Sequence, residues 1–233
     1  MPTTIIVGGQ WGDEGKGKFA SYLALTDKPT IACRAGLGPG AGHTVVYQGA
    51  TMKFRQIPGG MIARPRRVLI GAGCLVRPSV VLGECETYGL FDRIGIDHRA
   101  SVITDEQMQR DRGDPHLAKV IESTGSGHGP CLMDRAMRVG LLARDAEALQ
   151  PYLCDVSAEI NEVLDRGEEV QIEGTNGYLL SVLYGSYPYT VGKDSTAATV
   201  AADVGVGPRR IDEVVLAFKT FPTRVGKGSS RPR

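Results

Sequence analysis

Long hydrophobic runs are what this sequence most plainly lacks. No apolar stretch reaches the roughly 18 residues that a membrane span requires, and no basic segment followed by an apolar one opens the chain. Neither a membrane helix nor a signal peptide is expected. An excess of charge of one sign is also missing, with 27 Lys and Arg against 26 Asp and Glu. No global field recruits nucleic acid or a membrane surface. The one basic cluster, Arg64 to Arg67, reads as solvated surface. Cysteine is sparse and unpatterned. Cys33, Cys74, Cys85, Cys131 and Cys154 are odd in number and show no C-x-x-C spacing. That argues against a disulfide framework or a zinc site, and for reduced, mostly buried thiols in a cytoplasmic protein.

Glycine is abundant, with 31 residues in 233, and its placement carries the argument. The stretch GGQWGDEGKGK, Gly8 to Lys18, follows the apolar run TTIIV. A strand leading into glycines and a lysine suggests a loop whose backbone N–H groups wrap phosphates. It departs from the standard G-x-x-x-x-G-K-[ST] loop. Gly9 to Gly15 has one spacer too many, and Gly17 stands where a metal-binding hydroxyl is expected. Asp13 is the substitute, because Mg²⁺ prefers carboxylate oxygen. The alternative is an ordinary glycine-rich turn between a strand and a helix.

Along the chain, strands alternate with helices. TTIIV, TIAC, RVLIGAG and EVQIEG read as buried strands, and Lys16 to Leu25 as the helix after the loop. TVVY and MKFRQI alternate as hairpin strands do. RPSVVLGECETYG begins with Pro inside a helix and ends in Gly. Ala146 to Arg166 has helical spacing interrupted by Pro151, where a kink or restart is expected. VGPRRIDEVVLAFKTFPTRVG reads as a turn, a short helix and a strand. The expected class is α/β: P-loop-like, with a largely parallel central sheet flanked by helices and a small hairpin subregion. Residues 1–233 are expected to form a single nucleotide-binding and catalytic domain.

Three further loops fall near strand ends, where such sheets bind ligands. Gly36, Gly38, Gly40 and Gly42 form the second, with His43 at its lip as a candidate for acid or phosphate work. STGSGHGP, Ser123 to Pro130, offers hydroxyls and N–H groups, and Arg135 and Arg138 follow it. In EGTNGYLL, Glu173 and Asn176 end a strand. Each alone could be a surface turn. Together they point to at least two phosphate-bearing ligands.

The first stretch resembles the amino-terminal signature of the adenylosuccinate synthetase family, and GPGAGHT resembles its second. STGSGHGP, the EG-x-x-G turn, SYPY, GVGPR and TRVG recur in the family's order, so the resemblance runs from about Thr4 to Gly226. It implies a ligase joining L-aspartate to a purine nucleoside monophosphate, with a nucleoside triphosphate phosphorylating O6 first. By resemblance Asp13 is the base that removes the N1 proton and also ligates Mg²⁺, with the Gly42 carbonyl beside it. His43 and Lys16 complete the catalytic set. Triphosphate contacts would come from Gly12, Asp13, Glu14, Gly15, Lys16, Gly17, Lys18, Gly42, His43 and Thr44. Monophosphate contacts would come from Asp13, Gly40, Ala41, Thr124, Asn176, Val191 and a neighbouring subunit's Arg138, which implies a homodimer. Neither nucleic acid nor membrane is an expected partner.

Ser21, Gly40, Asn176 and Val191 stand where the family usually has Asp, Asn, Gln and Thr. Ser21 is therefore a specificity candidate, since a phage branch of the family takes dGMP in place of IMP. The family also continues past TRVG with an aspartate-binding loop and the base-recognition site, and both are expected to lie beyond these 233 residues. Three readings stay open: a ligase, a nucleotide-binding module without turnover, and a structural remnant.

Overall fold

The computed structural model describes residues 3–40 and 42–224. β1 (Thr3–Gly8) leads through residues 9–15 into helix α1 (Lys16–Asp27), and β2 (Ile31–Arg34) follows. β3 (His43–Tyr47) and β4 (Ala50–Phe54) form an antiparallel hairpin. Then come β5 (Arg67–Ile70), β6 (Leu75–Val76), α2 (Pro78–Tyr88), β7 (Ile94–Asp97) and β8 (Ser101–Val102). α3 (Asp105–Gly113), α4 (His128–Met137), β9 (Leu153–Cys154) and α5 (Val156–Asp165) lead to β10 (Val170–Glu173). α6 (Ala197–Val204) and β11 (Glu213–Ala217) complete the order.

Seven strands form one sheet in the order β11-β1-β10-β2-β5-β7-β9, and every neighbouring pair is parallel. The α/β reading, the parallel sheet and the hairpin are all present. The period of two explains the core. In β5, Val68 and Ile70 enter an apolar cluster with Phe54, Val81, Ile94 and Ile96 on one face. Leu69 points the other way, into a cluster with Ile5, Cys33, Ile160, Ile172 and Val204. The sheet is thus covered on both sides, as parallel sheets require.

Local chemistry sets the helix ends. Pro78 opens α2 and Gly89, at φ 63°, closes it. Thr104 and Gln107 form a reciprocal capping box on α3, and the Asp155 and Thr196 side chains cap α5 and α6. Pro151 causes a restart rather than a kink. A 3₁₀ segment ends at Tyr152, β9 intervenes, and α5 begins anew. One expectation fails: MKFRQI is a strand only to Phe54. The Glu84 carboxylate accepts the N–H groups of Arg55 (2.5 Å), Gln56 (3.0 Å) and Ile57 (3.0 Å), so those amides have no strand partner. Among the described residues, no helix is long and apolar enough to cross a membrane.

Candidate active site

The parallel sheet brings the carboxyl ends of β11, β1, β10 and β2 side by side. Four loops leave from that edge: residues 218–224, 9–15, 174–178 and 35–42. Strand register then sets the chemistry beneath them. Arg34 and Glu173 end neighbouring strands in direct register, and His43 begins the hairpin after the second loop.

These three form a buried hub. Glu173 is fully buried and makes short contacts with Arg34 and with Nδ1 of His43. Arg34 Nη1 lies 3.2 Å from the same Nδ1. Gly59 N–H donates to the other Glu173 oxygen at 2.6 Å. Burial pushes the Glu173 carboxyl up, but His43 and Arg34 outweigh it and bring it down to about 2. His43 moves down from its ordinary value because burial disfavours its charged form, with Arg34 adding to the effect. With Glu173 accepting at Nδ1, the proton of the neutral ring is assigned to that nitrogen.

The first loop is satisfied partly from within. Glu14 Oε1 accepts the N–H groups of Gln10 (2.9 Å) and Gly12 (2.8 Å). Its other oxygen meets the Lys16 ammonium at 2.8 Å, both groups being buried. Burial lowers the Lys16 pKa, against the pull of Glu14. Lys16 therefore points back into the loop, and part of the anion-binding nest holds the chain's own carboxylate. Gly12 and Gly15 take positive φ, as the turn requires. Gly17 is also needed for room: a Cβ there would lie 2.5 Å from the His43 side chain, so loop and histidine meet.

Asp13 is half exposed. Its carboxylate meets the Lys219 ammonium at 3.1 Å and makes a short bond with the Thr223 hydroxyl. The Thr223 hydroxyl, then Lys219, lowers its pKa against the effect of burial. Among the described residues, no group of three or more His, Cys, Asp or Glu could hold a metal. Mg²⁺ is commonly held by one or two carboxylates plus substrate phosphates. Asp13 and the Gly42 carbonyl suit such a site.

The remaining candidates divide. Gly42 and Thr44 are exposed beside His43, and Lys18 is exposed on α1. Asn176, at φ 60°, packs on the first loop, where a Gly12 Cβ would lie 3.4 Å from its Cα. Exposed Gly40 and Thr124 lie on loops joined by His128, and the Thr124 hydroxyl donates to Ser126 at 2.9 Å. Ser21 is buried, and its hydroxyl lies 2.8 Å from the Gly17 carbonyl and 3.0 Å from that of Gly59. Val191 packs against the apolar cluster of Leu37, Leu75, Ile103 and Cys131. Arg138 is exposed at the end of α4, the helix that leaves the Ser123–Pro130 loop, and is left-handed in backbone. Ala41 lies outside the described residues.

Sequence reading missed Arg34, Lys219 and Thr223 as site residues. Arg34 had a signal: a cation closing an otherwise apolar strand just before glycines. Lys219 had none, and Thr223 only its place in TRVG, because their partner Asp13 is more than two hundred positions away.

Fold and site define a nucleotide-binding α/β protein with glycine loops gathered at the carboxyl edge of a parallel sheet. The adenylosuccinate synthetase family model matches residues 5–146 and 142–231. Adenylosuccinate synthetases of Pyrococcus horikoshii and Methanocaldococcus jannaschii are 52% and 53% identical over 231 residues. Those matches cover 98% of this chain but 68% and 67% of the relatives. The fully ligated adenylosuccinate synthetase of Plasmodium falciparum superposes with a TM-score of 0.89 at 25% identity, over 97% of this chain and 63% of that one. The succinoaminodeoxyadenylate synthetase of cyanophage S-2L, bound to dGMP and dATP, gives 0.84 at 29% identity, over 95% and 65%. The chain belongs to the adenylosuccinate synthetase family, ligases that form a C–N bond, and spans about two thirds of the length of these relatives.

Proposed function

We propose that the chain carries the phosphoryl-transfer site of a ligase joining L-aspartate to IMP, driven by GTP through a 6-phosphoryl intermediate. The observation that carries this reading is the meeting of the Asp13 loop with the His43–Glu173–Arg34 hub at one sheet edge. IMP is a poor nucleophile until its N1 proton leaves. Asp13 is ionised and half exposed, so it can take that proton once Lys219 and Thr223 release it. His43 is held by Glu173 at Nδ1, which leaves Nε2 to meet the transferring phosphoryl group. As negative charge gathers there, Glu173 supports the imidazolium form, much as a buried carboxylate supports a catalytic histidine elsewhere. Asp13 and the Gly42 carbonyl would hold Mg²⁺, which when bound would supply charge neutralisation on the phosphates.

Thr124, Gly40, Ala41, Asn176 and Val191 are assigned to the monophosphate side. Arg138, exposed among exposed Met133, Met137 and Val139, fits a residue that reaches into a neighbour's site in a homodimer. Mixing Asp13→Asn and Arg138→Leu variants should then restore activity, because one site of a mixed dimer holds both intact residues. Activity equal to the sum of the separate variants, with subunit exchange demonstrated, would place Arg138 in its own site.

The dGMP reading rests on Ser21, a shorter side chain than the family's Asp, here buried with its hydroxyl against the Gly17 and Gly59 carbonyls. The deciding experiment offers IMP or dGMP with aspartate and GTP or ATP plus Mg²⁺, and looks by mass for the succinylated nucleotide. Product from IMP supports the main reading, and product from dGMP alone replaces it. Nucleotide-dependent thermal stabilisation without product by the 233 residues would support a binding module instead.

A further inference from the structure

The second glycine-rich loop and the third touch through one side chain. His128 is the first residue of α4 and follows Gly127, which is left-handed at φ 79°. Its Nε2 accepts the Gly40 N–H at 3.3 Å. The ring lies where a side chain at position 40 would go: a Cβ built on Gly40 would stand 2.4 Å from His128 Cε1 and 3.2 Å from Nδ1. Real Cβ atoms do not come that close, so residue 40 and the imidazole compete for one space.

Both ends of this contact are anchored. In the second loop, Arg55 Nε donates to the Pro39 carbonyl at 2.8 Å, one residue before Gly40. In the third, Asp111 accepts the Gly127 N–H at 2.8 Å and Arg112 Nε donates to the Gly125 carbonyl at 3.1 Å. The imidazole is thus the bridge between two braced loops. Its neutral form is the one that accepts at Nε2. Burial holds it there by bringing its pKa down to about 4, and its place at a helix amino terminus disfavours the cation as well.

We propose that His128 is a positioning residue of the monophosphate site, fixing the distance between the Gly40 and Thr124 loops by filling the space of the side chain that residue 40 lacks. This rests on the assignment of those loops to the monophosphate. An arrangement of that kind acts on one ligand and leaves the other alone. The triphosphate side is built on residues 12–18 and 42–44, and His128 touches none of the described residues among them through a hydrogen bond.

Calorimetry with IMP, dGMP and GTP tests it. His128→Ala should weaken monophosphate binding about three- to tenfold, the worth of a single hydrogen bond, while GTP binding changes less than twofold. His128→Gln, which keeps an acceptor at similar reach, should recover most of the loss. Gly40→Ala should weaken the monophosphate in the parent protein, yet add little in the His128→Ala background, because the space is then free. Should His128→Ala fail to fold, His128→Ser, which also vacates the space, alone and with Gly40→Ala, carries the same test. Equal losses for both nucleotides, or losses at 40 and 128 that simply multiply, would overturn the proposal. Parent protein that binds monophosphate while His128→Ala binds it unchanged overturns the role of His128 alone. Parent protein that binds neither IMP nor dGMP overturns the functional reading and this role together.

Discussion

Two phosphate-type loops sit at one sheet edge, and only the first has a brace inside itself. The first loop, residues 9–15, has a brace of its own, since Glu14 binds the amides of Gln10 and Gly12 and Lys16 lies two residues on, to which Lys219 adds backbone bonds with the Gln10 side chain at 3.1 Å. The second, residues 35–42, is braced from elsewhere. Arg55 holds Pro39, His128 holds Gly40, and Asp203 accepts the Gly36 N–H at 2.8 Å. A loop of the first kind keeps a compact cluster at its centre and adds distant bonds at its rim. A loop of the second kind spreads the task over several elements, so each brace matters less and the loop reports on the whole fold.

The largest effect should come from Asp13, which has no stabilising role comparable to its proposed chemical one. Asp13→Asn should keep the fold and lower phosphoryl transfer by several orders of magnitude, because proton removal and metal placement both suffer. Retention of more than about a tenth of the parent rate, a loss of only ~1.4 kcal/mol, would remove Asp13 from that role. Next comes Glu14→Ala, which leaves the buried Lys16 ammonium without its partner. Breaking a buried pair in this way costs about 3–5 kcal/mol. At ~2–4 °C per kcal/mol for a chain of this size, the melting temperature should fall by roughly 6–20 °C. A fall under about 3 °C would mean that the first loop is not self-braced.

Acid should act at the hub between the loops. The Glu173 carboxyl is depressed from its ordinary 4.5 to about 2 in the folded chain. A depressed carboxylate contributes stability that is complete above its unfolded pKa and is lost as pH falls through the folded one. Parent protein should therefore lose stability between about pH 4.5 and 2 more steeply than Glu173→Gln, which has no proton to take up there. Chemical denaturation at pH 7, 4.5 and 3 measures the difference, and parallel slopes would show that the hub carries no such linkage. The smallest effect belongs to a single brace of the second loop. Arg55→Ala should cost only about 1.5–3 kcal/mol, since one hydrogen bond from a charged group is lost and the other braces remain. A loss as large as that of Glu14→Ala would erase the contrast between the two loops.

This contrast also governs what could be read in advance. The first loop was legible because its brace lies inside eleven consecutive residues, and β1, α1, β2 and the hairpin followed from alternation and glycine punctuation. Pro151 was legible as an interruption, though only the structure shows β9 inserted behind it. The end of the hairpin was not legible, because Glu84 takes the amides of Arg55 to Ile57 from a helix some thirty residues later. Lys219, Thr223 and His128 were hidden for the same reason: their meaning depends on which loops the sheet order makes neighbours. Glu173 was visible as a charge ending a strand, but its pairing with Arg34 needed the register of β10 on β2.

Because β1 lies between β10 and β11, it precedes every other strand of this sheet in the chain yet gains its second neighbour only with the last of them. At about 5–20 residues per second of synthesis, its first partner emerges roughly ten to thirty seconds later. Throughout that interval Ile5, Ile6 and Val7, all buried in the finished sheet, sit on a strand with two bare edges. Such a segment is a template for wrong pairing with other nascent chains. Soluble yield should therefore be set by how well the amino-terminal strand is sheltered during those seconds, by a chaperone or by dilution, more than by the strength of the completed sheet.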